Sequence, residues 1–519
     1  MNIRKNIGKM TTAEKIAYVN AVLALKADTT STRPAAANAA GAQNRYDVYV
    51  WIHSMVMNGA HKGSAFTPWH REFLRQFELE LQVVSGNPKM TIPYWDCVKE
   101  RTSSNPGYPF TTNFMGGMGI GTDNRVTTGA FAQNAGWVLN VISGQATGAR
   151  RDNTPYLRRR TGQNPNQLPE TSDLNMALTR TAYDTTSFAE GENRPNTSSI
   201  ASSFRKIMEY DFHNGPHEWI GGNMMPHTAP NDPVFYLHHS NIDRIWAIWQ
   251  QRLNGGITNY RPNSGIPLHS LNSVMAMLNS SFYRFPVLNR PSDVLNHKAL
   301  GYMYDLDLPV ITGVPGTINF GMVKNGSTVQ LPIHFNIEAG RNMKFRINTF
   351  AGDPGFRSPA GTPAYEIVNH TNGDSQTHDV QIEFGATSQT GTKSGMVQIN
   401  VYVWDSDRYY SNVLGDYLVG TWSVNLEANV ASEIPVAIAS RRGLSPNIAL
   451  NQANGTTPNL LSDIKNPPMK EEMAGSMASS LAKLPMPMRM APINQGLRHQ
   501  ILRRWHIRNP VCPITRIWT

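Results

Sequence analysis

Cysteine is almost missing from this chain. Only Cys97 and Cys512 occur among 519 residues, which excludes a disulfide framework and leaves no thiolate cluster to bind a metal. Charge is sparse too: Asp, Glu, Lys and Arg make up 16% of the sequence, against 40% hydrophobic residues. The formal net charge of +10 would suit an acidic partner. The basic residues of the front half are scattered, however, apart from Arg150–Arg151 and Arg158–Arg159–Arg160, and the denser stretch Met469–Thr519 has the character of a solvated extension. No nucleic-acid partner is expected. No segment reaches the roughly 18 uninterrupted apolar residues of a membrane helix, so no membrane partner is expected either. Met1–Lys9 carries basic residues, but no apolar stretch follows and no twin-arginine pair precedes one. A cytoplasmic protein is the simplest expectation, with secretion after processing left open.

What is present is length and a change of texture along it. A chain of 519 residues is expected to form two or three domains. Thr12–Lys26 reads as a helix capped by Thr12, with Glu14 near its positive end and Ile16, Val19, Val22 and Leu23 at helical spacing. Arg45–Met57 is helical again. Trp69–Val84 is a strong amphipathic helix with Phe73, Leu74, Phe77, Leu81 and Val84 on one stripe, stopped by Asn87-Pro88. Ser103 to Asn196 is rich in Gly, Asn and Thr and reads as long loops with short helices. Ile200–Tyr210 and Asp232–Leu253 are helices, the second opened by a carboxylate and a proline. After Asp307 short alternating runs follow, Val329–Phe335, Met343–Thr349, Gly395–Tyr402 and Tyr417–Val424, separated by Gly, Asn, Asp and Pro. That is the pattern of an all-β sandwich. The expected fold class is therefore multidomain α+β. A mainly α-helical domain spans residues 1–307, a β-sandwich spans 308–430, and a Met- and Pro-rich basic tail occupies 431–519.

The chemistry lies in histidine. Eight of the fifteen histidines fall between His53 and His239. His53 ends one helix and His70 opens the next, with His61 in the short connection, so two antiparallel helices can bring three rings together. His213-Asn-Gly-Pro-His217 places two imidazoles one helical turn apart. His238-His239 follows on the last helix. Adjacent positions point about 100° apart, so at most one of the two serves a given metal. Imidazole suits copper, zinc, iron and nickel, but no carboxylate or thiolate joins the set at ligand spacing. Paired zinc hydrolases usually need a bridging carboxylate, and di-iron bundles carry Glu-x-x-His twice. Two three-histidine sites on a helical core suit copper best.

Two stretches now stand out: Phe66-Thr-Pro-Trp-His70-Arg-Glu-Phe, and Asn231-Asp-Pro-Val-Phe-Tyr-Leu-His-His239-Ser-Asn-Ile-Asp-Arg-Ile-Trp. They resemble the two copper signatures of tyrosinases, catechol oxidases and molluscan haemocyanins. The resemblance covers about Arg4 to Asp305 and closes on Tyr302-Met-Tyr304, similar to the family's Tyr-x-Tyr. It implies a four-helix bundle bearing six histidines, two copper ions and O2 as co-substrate. His53, His61 and His70 would bind copper A, and His213, His217 and His239 copper B. His238 would support the site without binding, and Phe235 would pack on a copper B imidazole. Asn214 and Glu209 would orient a water. Three departures stand beside these matches, one being that the interval from Glu209 to His213 is shorter than in the family's bacterial members. The loop from His53 to His61 is short for the family, and Gly59 occupies the place where many fungal and plant members carry a thioether-forming cysteine.

The resemblance implies an enzyme that hydroxylates monophenols, oxidises o-diphenols to quinones, or both. The alternatives are a haemocyanin-like oxygen-binding protein and an o-aminophenol oxidase. Small phenols are the expected partners. Glu209 either holds the water or pairs with Arg205. Glu218 either repels acidic substrates or is a solvated charge, and Met225 and Pro226 lie where substrate would enter. A β-domain after such a core often keeps the enzyme latent by placing a loop side chain over the site. Phe356, Tyr409 and Tyr410 are the candidates for that role here.

Overall fold

Helix ends follow local chemistry. Glu14 N–H donates to the Thr11 hydroxyl, and the Glu14 carboxylate accepts from the Thr11 backbone. Helix α1 (Thr12–Ala27) thus opens on a capping box at Thr11, one residue before the expected cap. Its inner face is Tyr18, Val19, Ala21, Val22 and Leu25, while Ile16 is 50% exposed. After the short α2 (Ala35–Ala39), α3 (Arg45–Ser54) stops short of the expected Met57, and a separate turn, α4 (Met57–Ala60), follows. Helix α5 (Phe66–Ser85) ends on Gly86 at φ 64°, a left-handed C-terminal glycine that terminates it ahead of Pro88. The computed structural model describes residues 1–144, 152–159, 168–189, 200–252, 256–305, 307, 309–338, 343–363, 366–368, 375–386, 389–403 and 417–434.

Beyond α6 (Thr171–Leu178), the expected helix at Ile200–Tyr210 starts later and runs further. Helix α7 (Phe204–Ile207) passes into a π-helical segment (Met208–His213) and then α8 (Asn214–Ile220). Helix α9 (Val234–Arg252) begins where the Asp232 carboxylate accepts from Val234 N–H at 3.1 Å. No described helix is long and apolar enough to cross a membrane.

The polar side of α5 is buried as well as its apolar stripe. Arg71, Glu72, Gln76, Glu78 and Glu80 are all inside, so each needs a partner. Asp243 on α9 is the hub. It accepts from Arg71 Nε at 2.6 Å, from Arg4 at 3.2 Å, and from the hydroxyls of Tyr302 and Tyr304 at 2.6 Å each. Arg4 also reaches Glu78 at 2.9 Å, so two guanidinium groups face two carboxylates. Strand β1 (Asn2–Arg4) pairs in parallel with β4 (Tyr302–Tyr304), and this clasp delivers Arg4 and both tyrosines to the hub. Strands β2 (Gly119–Ile120) and β3 (Arg125–Val126) form a small ribbon between them in sequence. The Arg158–Arg159 pair is not a surface patch: Arg159 is fully buried and grips Asp232 with two bonds of 2.7 Å.

From Val310 onward the described chain is strand. A four-stranded sheet runs β5 (Val310–Thr312), β7 (Thr328–Glu338), β11 (Ser375–Gly385), β9 (Phe356–Arg357). A five-stranded sheet runs β10 (Glu366–Val368), β8 (Met343–Gly352), β12 (Gly391–Val403), β13 (Tyr417–Ala431), β6 (Thr317–Lys324). Alternate residues of both sheets, among them Ile333, Phe335, Ile382, Val397, Ile399, Val424 and Leu426, meet in one apolar core. Phe356 belongs to that core. It is 2% exposed, with its ring 4.5 Å from Phe384 and 5.7 Å from Phe320. The expectation that it projects from a turn to block a site is therefore wrong, because apolar packing within its own sheets holds it inward. Tyr409 and Tyr410 lie outside the described residues, as does the tail after residue 434.

The hub yields a prediction. Asp243→Ala leaves two buried guanidinium groups short of a counter-charge, and should cost about 3–5 kcal/mol of stability, read by urea unfolding of the metal-free protein. A loss below about 1 kcal/mol, the range of an exposed pair, would show that the hub is not holding the clasp.

Candidate metal centre

Seven buried imidazoles converge where α3, α4, α5, the π-helical segment, α8 and α9 meet. Ligand-capable nitrogens of His53, His61 and His70 lie within 4.8 Å of one another, and so do those of His213, His217, His238 and His239. No carboxylate belongs to either group. Rings of the two groups also touch across the centre: His70 and His239 stack with centroids 4.4 Å apart.

Most of these rings are aimed by a hydrogen bond at Nδ1. His53 donates to the His227 carbonyl at 2.6 Å and His70 to the Phe66 carbonyl at 2.7 Å. His213 donates to Asn214 Oδ1 at 2.9 Å, and His217 donates to the Met224 carbonyl. That leaves Nε2 facing inward. On His53, His70 and His213 this atom is buried with no protein partner, while Nε2 of His217 meets Nε2 of His239 at 3.3 Å. His61 and His239 differ, for their buried Nδ1 atoms have no partner. His239 is steadied instead by stacking on Phe235 at 4.0 Å and on His70.

His238 is tethered differently: its Nε2 donates to the backbone carbonyl of His213 at 3.1 Å, which leaves only its buried Nδ1 without a partner. Burial holds every one of these rings neutral: His53 is pushed down to about 3 and His217 to about 4, and the others fall well below the ordinary histidine value. Neutral imidazoles with free lone pairs, packed together without a counter-ion, are a ligand set for a cation. Six of the seven fit two three-nitrogen sites.

A cavity of about 230 Å³ opens onto His61, His213 and His217. Glu209, Asn214, Glu218, Met225 and Pro226 all line it, so the structure brings together every accessory residue the sequence pointed to on this side. Glu209 is buried, and its environment explains its chemistry. Arg205 donates two hydrogen bonds to the Asp184 carboxylate, at 3.0 Å each, and one to Glu209 at 2.9 Å. The second Glu209 oxygen accepts from Lys62 N–H. Two buried carboxylates thus share one guanidinium, and burial pushes Glu209 up to about 7 against the pull of Arg205 and of the Lys62 amide. Glu209 pairs with Arg205 and also forms part of the cavity wall. Glu218 is exposed at the cavity mouth.

Met57, Lys62 and Tyr210 line the same cavity and were passed over in the sequence. Lys62 follows His61 and Tyr210 follows Glu209, so adjacency was an available signal. Lys62 also sits at φ 61°, a left-handed conformation costing a non-glycine residue about 1–2 kcal/mol, held here by its bond to Glu209. The loop before α9 does more than border the cavity. Its Met224 and His227 carbonyls aim one ring from each group. The loop is fixed in turn by Tyr46 O–H donating to the Pro230 carbonyl at 2.6 Å and by buried Asp152, which accepts from Thr228 and Asn223.

A helical core that gathers two all-histidine groups beside one cavity is the class of site that can hold a pair of metal ions. Comparisons with known proteins specify it further. Residues 43–252 match the family model described as the common central domain of tyrosinase. The tyrosinase of Streptomyces glaucescens is 34% identical over 321 residues, which cover 59% of this chain and 100% of that protein. The grixazone synthase of Streptomyces griseus is 32% identical over 340 residues, covering 59% and 99%. A solved variant of polyphenol oxidase from Thermothelomyces thermophila aligns over 59% of this chain and 88% of its own, at 24% identity and a TM-score of 0.46. The chain belongs to the tyrosinase family. It is a tyrosinase-type oxidoreductase, and it carries out copper-dependent oxidation of phenols.

The geometry separates the adjacent histidines experimentally. After copper loading and desalting, His239→Ala should retain no more than one copper per chain, whereas His238→Phe should retain two, as counted by atomic absorption. Equal losses from both variants would contradict the division of roles.

Proposed function

We propose that His53, His61 and His70 hold one copper ion, and His213, His217 and His239 a second, inside a four-helix bundle of α3, α5, the α7–α8 run and α9. The bundle belongs to a catalytic domain over residues 1–307, followed by a β-sandwich domain over 308–430 and an extension over 431–519. The observation that supports the ligand assignment is the convergence of buried, neutral imidazoles in two groups, with the partnerless Nε2 atoms of His53, His70 and His213 on rings anchored at Nδ1; the choice of His239 over His238 follows the family's copper signature. Bound copper would supply the binding and reduction of O2 and would take up the electrons that the phenol gives.

The protein's own residues handle substrate and proton. A phenol enters between Met225 and Pro226 on one side and Asn214 on the other, with Glu218 at the mouth. Stacking of Phe235 on His239 keeps that ring from turning as substrate arrives. A free phenol has a pKa near about 10, so it needs help to ionise near neutral pH. Glu209 and Asn214 orient a water that takes the phenol proton: Glu209 as the basic group, Asn214 through the amide N–H groups left when its carbonyl oxygen is taken by His213. A carboxylate raised to about 7 is well matched to this task, being basic enough to accept a proton and still ionised above that pH.

The sign of the pH effect follows. The base form of Glu209 is present above about pH 7 and is lost as pH falls through that value. Deprotonation matters most for a monophenol that must be hydroxylated, and less for a catechol. The ratio of monophenol to catechol turnover should therefore fall below about pH 7, and Glu209→Gln should lower it by about 10²-fold and flatten its pH profile. A variant that loses both activities in equal proportion, with two coppers bound, would sink the proton role and leave Glu209 as a partner of Arg205 alone.

A further inference from the structure

His61 is the least anchored of the six inward-facing rings. Its buried Nδ1 has no partner, and its neighbours among the described rings are tilted or edge-on, with none stacked. It also sits on the shortest support, the turn from α4 into α5. No side chain at position 59 can hold it, because Gly59 lies where an added Cβ would come within 2.2 Å of Ala276 Cβ. The direction of this ring must come from the backbone on either side of it.

The side of that turn after His61 meets one distant side chain. The ring of His269 lies against Gly63 so closely that a Cβ at 63 would be 2.4 Å from Cε1 and 2.5 Å from Nδ1. Ala65 N–H donates to His269 Nδ1 at 3.3 Å. The accepting nitrogen is unprotonated, so the proton of the neutral ring is on Nε2. One imidazole thus packs on Gly63 and bonds to Ala65, on the limb immediately after His61. This imidazole is itself braced. His269 is 4% exposed, and its carbonyl accepts from Tyr260 O–H at 2.7 Å. Tyr260 packs on Tyr183, whose hydroxyl bonds back to the Ser64 carbonyl. Burial pushes His269 down to about 4, which keeps the ring in the neutral form that accepting from Ala65 requires.

We infer that His269 is a positioning residue for the His61 limb of the copper A site, a hydrogen-bonded brace that fixes where the His61 backbone presents its ring. The inference rests on the proposed role of His61 as a copper ligand. It also explains why position 63 is glycine, since any side chain there would displace the brace.

The test uses the full chain and two variants. His269→Phe keeps a ring against Gly63 and removes the Ala65 hydrogen bond, whereas Gly63→Ala keeps His269 and pushes it aside. In metal-free protein, amide exchange at Ala65 should quicken in both. In copper-loaded protein, chelator-driven release should split into two phases, one copper leaving about 10–100-fold faster than from the unaltered chain and the other leaving at the unaltered rate. His269→Asn, whose Oδ1 stands near the place of Nδ1, should restore part of the slow release. If both coppers leave at the unaltered rate, or quicken together, the positioning role is overturned. If His269→Phe does not fold, Gly63→Ala decides by the same two readings. An unaltered chain that binds fewer than two coppers would instead defeat the copper A assignment, and Ala65 exchange alone would then judge the brace.

Discussion

The centre of this protein is a group of uncharged imidazoles forced to share buried space with their lone pairs turned toward one another. A buried polar nitrogen without a partner costs about 1–3 kcal/mol, and several are gathered here. Among the described residues no carboxylate lies within either group to turn the cost into an ion pair. A cation bound by these lone pairs would relieve it and so couple metal binding to the stability of this core. The rest of the helical region is built to keep the rings in place against their own preference to separate.

Two kinds of support do this. One is carbonyl oxygen: His53, His70 and His217 are each aimed by a main-chain carbonyl, two of them from the loop before α9. The other is buried charge. Asp243 lies one turn beyond His239 and ties α9 to α5, to the first strand and to the Tyr302–Tyr304 strand. Arg159–Asp232 fixes the start of the same helix. Arg205 locks the π-helical segment to Asp184 and in doing so tempers the rise that burial imposes on Glu209. Framework and chemistry are joined at that last point. The guanidinium that holds the helix is also the one that Glu209 must share.

Much of this was legible in the sequence, for physical reasons that can be named. Histidines at positions 213 and 217, and apolar spacing along α5 and α9, are periodic signals carried by single helices. The strands after residue 310 show through their alternation. What escaped was non-local or hidden in the main chain. Carbonyl acceptors have no residue type, so the anchors at Met224 and His227 left no mark. His269 lies more than two hundred positions from His61 in a segment with little periodicity, and nothing near it signals a contact with Gly63. Phe356 was misjudged because a turn rich in Gly and Pro looks like a projection, whereas its ring is drawn inward by Phe320 and Phe384. The capping error at Thr11 was of one residue, within the usual ambiguity of helix ends.

The account stands on two all-histidine copper sites that use His239 and not His238. X-ray diffraction from copper-loaded crystals, with anomalous data collected on either side of the copper edge, addresses it directly. Two anomalous peaks per chain are predicted, one bounded by His53, His61 and His70 and the other by His213, His217 and His239, with His238 still bonded to the His213 carbonyl. A single peak, a carboxylate in either coordination sphere, or His238 bound in place of His239 would contradict it.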